Sequence, residues 1–149
     1  MSPPHPIPIA DRLATLGKAL EALPDVAFAY LFGSRAAGRQ GPLSDVDVAV
    51  YLDGPGRELG PRRLEVIGLV TAHLATDAVD VVVLNDAPIA LAGRILRQRQ
   101  VILDRRPFVR HRYESLTSRA FLDFLLFERR LLARRFPRGG QEPDPAEAR

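Results

Sequence analysis

Apolar residues recur along this chain in two patterns, which together predict a small sheet flanked by helices. Short apolar runs typical of buried strands occupy residues 26–32, 46–52, 79–84 and 101–103. Helices are predicted at residues 11–23, 36–39, 61–76, 88–99 and 107–136. We interpret the chain as one α/β (α+β) domain with a mixed sheet, spanning residues 11–136. Flexible tails are expected at residues 1–10 and 137–149.

The ends of the predicted helices are marked by polar residues and prolines. Asp11 is the expected N-cap of the first helix, and Pro24 ends it. In the last helix a break is expected near residues 115–118. Apolar residues between Phe121 and Leu132 are too numerous for a single helix face to bury. They either complete the core or dock a partner.

Composition narrows the class of protein. The 149-residue chain has no Cys, which excludes disulfides and thiolate metal sites. No apolar run approaches the roughly eighteen residues of a membrane span. These features fit a cytoplasmic enzyme.

Basic charge is concentrated near the C-terminus. Residues 1–104 hold ten Lys or Arg against twelve Asp or Glu, whereas residues 105–138 hold ten Arg against three acids. The basic region can bind nucleic acid or an acidic protein, or it can be a solvated helix face. Direct nucleic-acid binding is the weakest of these readings, because no aromatic pattern suited to base stacking is interleaved with the arginines.

The candidate catalytic residues lie in the loop that joins the first two predicted strands and in the chain that follows it. Asp45 and Asp47 alternate with apolar residues, so both should point to one face, with Cα atoms about 6.6 Å apart. Two acids on one face need a cation, and oxygen-only donors favour Mg²⁺ or Mn²⁺. Asp80 is the only polar residue of the third strand. Because burying it unpaired would be costly, it should face an ion, a partner or solvent. We assign it to the same metal site, with a structural aspartate at the edge of the sheet as the alternative.

The start of the same loop suits a phosphate. Gly33 follows a strand, where its backbone N–H can approach an anion, and Ser34 adds a hydroxyl donor. Arg35 and Arg39 are candidates for further contacts to a triphosphate, with solvated loop positions as the alternative. Ser44 is either a turn residue or a supporting ligand.

Gly-Ser, ten residues and Asp-x-Asp between two apolar strands form a specific combination. The stretch GSRAAGRQGPLSDVDVAV resembles the signature of the DNA polymerase beta-like nucleotidyltransferase superfamily, and its minimal nucleotidyltransferase branch in particular. In that superfamily a third carboxylate arrives from a following strand, as Asp80 does here. The resemblance, over about residues 11–136, implies a polymerase beta-like domain.

The resemblance also implies an activity and a partner. Short chains of this branch are antitoxins encoded beside HEPN-domain RNase toxins, and they move AMP from ATP onto a tyrosine of the toxin. Two Mg²⁺ ions, held by Asp45, Asp47 and Asp80, would serve the transfer. One alternative acceptor is a small molecule of the aminoglycoside kind. Another alternative is a non-catalytic antitoxin that masks its toxin by binding, and an oligomer is compatible with either.

Overall fold

A computed structural model describes residue 4 and residues 6–36, 45–54 and 58–136, without the side chain of Arg35. Its four strands are β1 (Val26–Phe32), β2 (Val46–Leu52), β3 (Val79–Val83) and β4 (Gln100–Asp104). Its α-helices are α1 (Ile9–Ala14), α2 (Leu16–Leu20), α3 (Gly33–Ala36), α4 (Leu59–Leu74), α5 (Ile89–Arg97) and α6 (Pro107–Arg135). A short 3₁₀ helix, Leu84–Asp86, follows β3.

The strands form one mixed sheet in the order β3-β2-β1-β4. β1 runs antiparallel to β2 and to β4, whereas β2 and β3 are parallel. A parallel pair needs a crossover connection, and α4 lies in it. The crossover brings the start of β3 beside the start of β2.

Each face of the sheet is covered by a different set of helices. Val46, Val48 and Val50 of β2 lie in a core cluster with leucines of α2 and valines of α4. Ala49 belongs to a second cluster, which includes Phe28 and residues of α5, and Tyr51 packs against it. The alternation predicted for β2 is therefore present.

The structure confirms the α/β class and the bounds of β1 and β2, and it shifts several helix ends. The first helix begins at Ile9 after Pro8, so Asp11 lies in its first turn instead of capping it. This helix is interrupted at Thr15 and ends at Leu20. The predicted short helix at 36–39 is replaced, within the described residues, by Gly33–Ala36; positions 37–39 lie outside them. Among the described helices, none is long and apolar enough to cross a bilayer.

The expected break in the last helix is wrong, because α6 is continuous over 29 residues. Its first half packs on α5, where Phe121 lies so close to Gly93 that any side chain at that glycine would overlap the ring. The guanidinium of Arg97 lies 4.9 Å from the centre of the same ring. We call residues 122–136, which are the last part of α6 and its C-cap Phe136, the distal segment of α6.

Candidate active site

Asp47 lies in the middle of the candidate site. It belongs to β2, an interior strand, and its Cα pairs with Phe32 on one side and with Asp80 on the other. Asp45 is an exposed residue directly before β2. The parallel register of β2 and β3 thus places the third predicted carboxylate directly beside the second.

The three carboxylates interact electrostatically. Partial burial raises the pKa of Asp47, and the charges of Asp80 and Asp45 raise it further. Asp80 is exposed at its position on β3. The arrangement therefore places two further acids beside Asp47, the least exposed of the three, and disfavours its ionised form.

Gly33 connects the carboxylates to the predicted phosphate-binding turn. It follows β1 at the start of α3 and has φ +74°, a conformation that favours glycine. A side chain at this position would overlap the carboxylate of Asp47. Glycine is therefore required both by the backbone and by the close approach of Asp47. Ser34 follows in the first turn of α3 and is partly buried.

The carboxylates have no internal countercharge in the described part of the chain. No Lys, Arg or His there forms an ion pair with Asp45, Asp47 or Asp80. Within the same residues, no three acidic or imidazole side chains are gathered into a preformed metal-binding set. The three carboxylates are thus neighbours, but they do not converge on the position of a single metal ion.

Some predicted contacts lie outside the described residues. These are Ser44 and Arg39, together with the side chain of Arg35.

Another group of charged residues was not predicted. Glu114 of α6 accepts a hydrogen bond from the Tyr30 hydroxyl at 2.7 Å and ion-pairs with Arg99 and Arg110 at 2.9 and 3.0 Å. Burial alone would raise the pKa of Glu114, but these partners outweigh it and lower the pKa. Only the spacing of Arg110 and Glu114, four positions apart on one helix, is visible in the sequence.

A buried ion pair was missed for the same reason. Arg62 of α4 is 6% exposed and donates to Asp25, which precedes β1. It also pairs with Glu65, one turn later in the same helix. These contacts join α4 to the start of β1 and serve the fold.

Comparison with known protein families shows to which family the chain belongs. The family described as "Polymerase beta, Nucleotidyltransferase" matches residues 15–108, which include all four strands and the three carboxylates. The chain belongs to this nucleotidyltransferase family. A search of curated proteins finds no match.

Solved structures similar to this nucleotidyltransferase come from toxin–antitoxin complexes. One is a tri-AMPylated Shewanella oneidensis HEPN toxin in complex with MNT antitoxin, with 21% identity and TM-score 0.62 over 84% of this chain and 95% of that one. Another is a toxin–antitoxin with AMP-PNP, with 24% identity and TM-score 0.56 over 84% and 92%. A MntA–HepT complex has 21% identity and TM-score 0.53 over 85% and 92%. At these identities the likeness shows a shared fold.

Proposed function

We propose that this nucleotidyltransferase moves AMP from ATP onto a hydroxyl group in a metal-dependent reaction. The observation that carries the proposal is the position of Asp47, which lies beside Asp80, near Asp45 and against Gly33. Carboxylates and a glycine turn at one edge of a sheet provide what a metal–triphosphate complex requires.

The donor set fits a hard divalent cation, Mg²⁺ or Mn²⁺. All three side chains offer oxygen, and the raised pKa of Asp47 reflects burial and repulsion that a bound cation would relieve. Asp45 and Asp47 would hold the ion that carries the triphosphate, and Asp80 would complete a site for a second one. Bound there, such ions orient the triphosphate and acidify an attacking hydroxyl.

The residues of the chain have separate tasks in the transfer. Gly33 and Ser34 would hold the phosphates that leave as pyrophosphate. The acceptor oxygen forms a bond to the α-phosphorus while the bond from that phosphorus to pyrophosphate breaks. The hydroxyl proton must leave as the new bond forms, and Asp80, exposed beside Asp47, would accept it or ligate the ion that acidifies it.

The proposed acceptor is a tyrosine of a HEPN-type partner toxin, so that the chain acts as an antitoxin in the cytoplasm. Support comes from the relatives, since one similar structure holds a tri-AMPylated HEPN toxin and another holds AMP-PNP. A small-molecule acceptor and a purely masking antitoxin are the competing functions. The uncompensated carboxylates argue against masking alone, because binding a toxin does not require them.

Intact mass spectrometry of the candidate partner, taken as the product of the gene beside this one, tests the proposal. After incubation with the chain, Mg²⁺ and ATP, its mass should rise in steps of one AMP, and peptide mapping should place AMP on tyrosine. Asp47→Asn should give no increase, and Asp86→Asn, at the far end of β3, should behave as wild type. An unchanged mass in a stable complex would favour masking. An unchanged mass without a complex would favour a small-molecule acceptor.

A further inference from the structure

The distal segment of α6 carries an uncovered apolar surface. Phe121 is the last buried residue of the helix, and every described residue from 126 to 136 is exposed. The large apolar side chains that are more than half exposed there are Leu122, Leu126, Phe127, Leu131, Leu132 and Phe136. A helical segment of this length is marginally stable in water by itself, and a soluble protein rarely leaves such a patch uncovered. We therefore expect another molecule to cover the segment.

The charges on the segment restrict what can cover it. It carries four arginines and two acids, and none of these arginines forms an ion pair within the described residues: Arg129, Arg130, Arg134 and Arg135. In the first half of α6, Arg110 is paired with both Asp104 and Glu114, whereas Arg112 and Arg119 form no ion pair within the described residues. Unpaired arginines beside exposed leucines match an apolar surface edged by carboxylates.

Grooves along the segment have the same mixed lining. The larger one, about 490 Å³, lies between leucines, with Arg129 and Glu128 at its side. A smaller one, about 200 Å³, places Phe127 and Leu131 beside Arg130 and Arg134. Apolar and cationic groups thus alternate around the helix, so the covering surface must supply both kinds of contact.

Neither a second copy of the distal segment nor the C-terminal residues of the same chain would cover this surface well. A second copy of the segment would bring four more arginines against the first four, which opposes pairing. The C-terminal residues 137–149 carry Glu142, Asp144 and Glu147, but they contain no Leu, Ile, Val, Met or Phe to cover the apolar strip. A different protein meets both requirements.

We infer that the distal segment of α6 is the docking surface for the protein that this transferase modifies. The contact is an apolar strip edged by Asp and Glu on that partner. The inference rests on the proposed function for the identity of the partner, but it concerns recognition and not the chemical step. Docking and transfer are therefore separate properties of separate parts of the chain.

Affinity measurements between the full chain and the same candidate partner, the product of the neighbouring gene, test the inference. Leu122→Ser/Leu132→Ser should raise the Kd at least about tenfold, and Arg130→Glu/Arg134→Glu should do so as well, most strongly at low salt. Because the leucine substitutions can also weaken the helix, the charge variant provides an independent test. Circular dichroism checks that both variants keep their helical content. Leu64→Ser on α4, where Leu64 is 69% exposed, and Arg112→Glu on the first half of α6 are matched controls with unchanged Kd.

The outcomes separate docking from chemistry. If the wild-type chain binds and the distal variants do not, docking stands even when no AMP is transferred, and only the proposed function fails. If AMP is transferred, the distal variants should raise KM for the partner while kcat stays within about twofold. An unchanged Kd in both distal variants, or no binding by the wild type, overturns the inference. A wild-type dimer dissociated by Leu122→Ser/Leu132→Ser would assign the surface to a second copy instead.

Discussion

Glu114 and Asp47 are carboxylates associated with the same face of the sheet, but within the residues that the structure describes only Glu114 is neutralised by its own chain. Glu114 receives a hydrogen bond from Tyr30 and faces Arg99 and Arg110, which lower its pKa. Asp47 faces two other acids, and its pKa is raised. The described part of the fold supplies cations to Glu114 and none to Asp47, which favours neutralisation of Asp47 by a bound ligand. We propose that the first group serves stability and that the second serves function.

The largest effect should come from neutralising Asp47, the central acid of the candidate active site. Asp47→Asn keeps the size of the side chain but removes a proposed metal ligand, so transfer should fall by at least about a thousandfold. Initial rates with ATP and the partner protein measure the loss. Asp86→Asn is the control, and retained turnover in Asp47→Asn would remove the metal assignment.

The third carboxylate should affect chemistry more than binding. Asp80→Asn should lower kcat by roughly a hundredfold, because its proposed role is at the attacking hydroxyl. The Kd for ATP should change only a few-fold, as measured by calorimetry with the non-hydrolysed analogue AMP-PNP. An unchanged kcat would return Asp80 to a structural role at the edge of the sheet.

Removing the acid at Glu114, whose charge is neutralised by its neighbours, should destabilise the fold and leave the transfer reaction unaffected. Glu114→Gln leaves Arg99 without its carboxylate and weakens the hydrogen bond from Tyr30, which should cost about 2 to 3 kcal/mol in the free energy of unfolding. Urea denaturation measures this cost. Glu128→Gln, an exposed substitution on the same helix, should change stability by less than about 0.5 kcal/mol. Equal effects of the two substitutions would contradict the structural role.

The two carboxylates should also give stability opposite dependences on pH. The lowered pKa of Glu114 contributes stability that is present above its unfolded value, near 4.5, and is lost as pH falls through its folded pKa. The raised pKa of Asp47 acts in the other direction, since ionisation costs stability as pH rises. Urea midpoints from pH 3 to 6 should therefore fall less steeply towards acid in Glu114→Gln than in wild type. A parallel fall in both proteins would contradict the assignment.

The smallest predicted effect is a gain in stability at the functional site. Without metal, Asp47→Asn relieves repulsion from Asp80 and Asp45 and should raise the Tm by about 2 °C. Mg²⁺ should raise the Tm of the wild type and leave that of the variant unchanged. Thermal melts of both proteins with EDTA or with Mg²⁺ provide the measurement, and a lower Tm for the metal-free variant would show that Asp47 supports the fold.

The same contrast explains how much the sequence could predict. β1 and β2 were predicted to the residue, since each is a mainly apolar segment, interrupted only by Asp47 in β2, with a turn signal at its ends. The residues proposed for chemistry lie on or beside these strands and β3, so local spacing was enough to propose them as one group, and their roles stay predictions. The Glu114 group could not be found in this way, because its members are separated by up to 84 positions. The expected break in α6 failed because packing of Thr117 and Phe121 against the domain supports the helix there.

The pairing of β2 with β3 has a consequence for insertions and deletions. Asp47 and Asp80 face each other only in the present register, in which Val48 lies opposite Val81. Moving β3 by one position would turn Asp80 to the opposite face and expose Val81. A change of length in the connections that flank α4 does not by itself alter this pairing, whereas α4 must stay intact because Val66 and Val70 are buried in the core. A designer who wishes to graft new segments onto this protein therefore has freedom only in those connections, and none between Val79 and Val83.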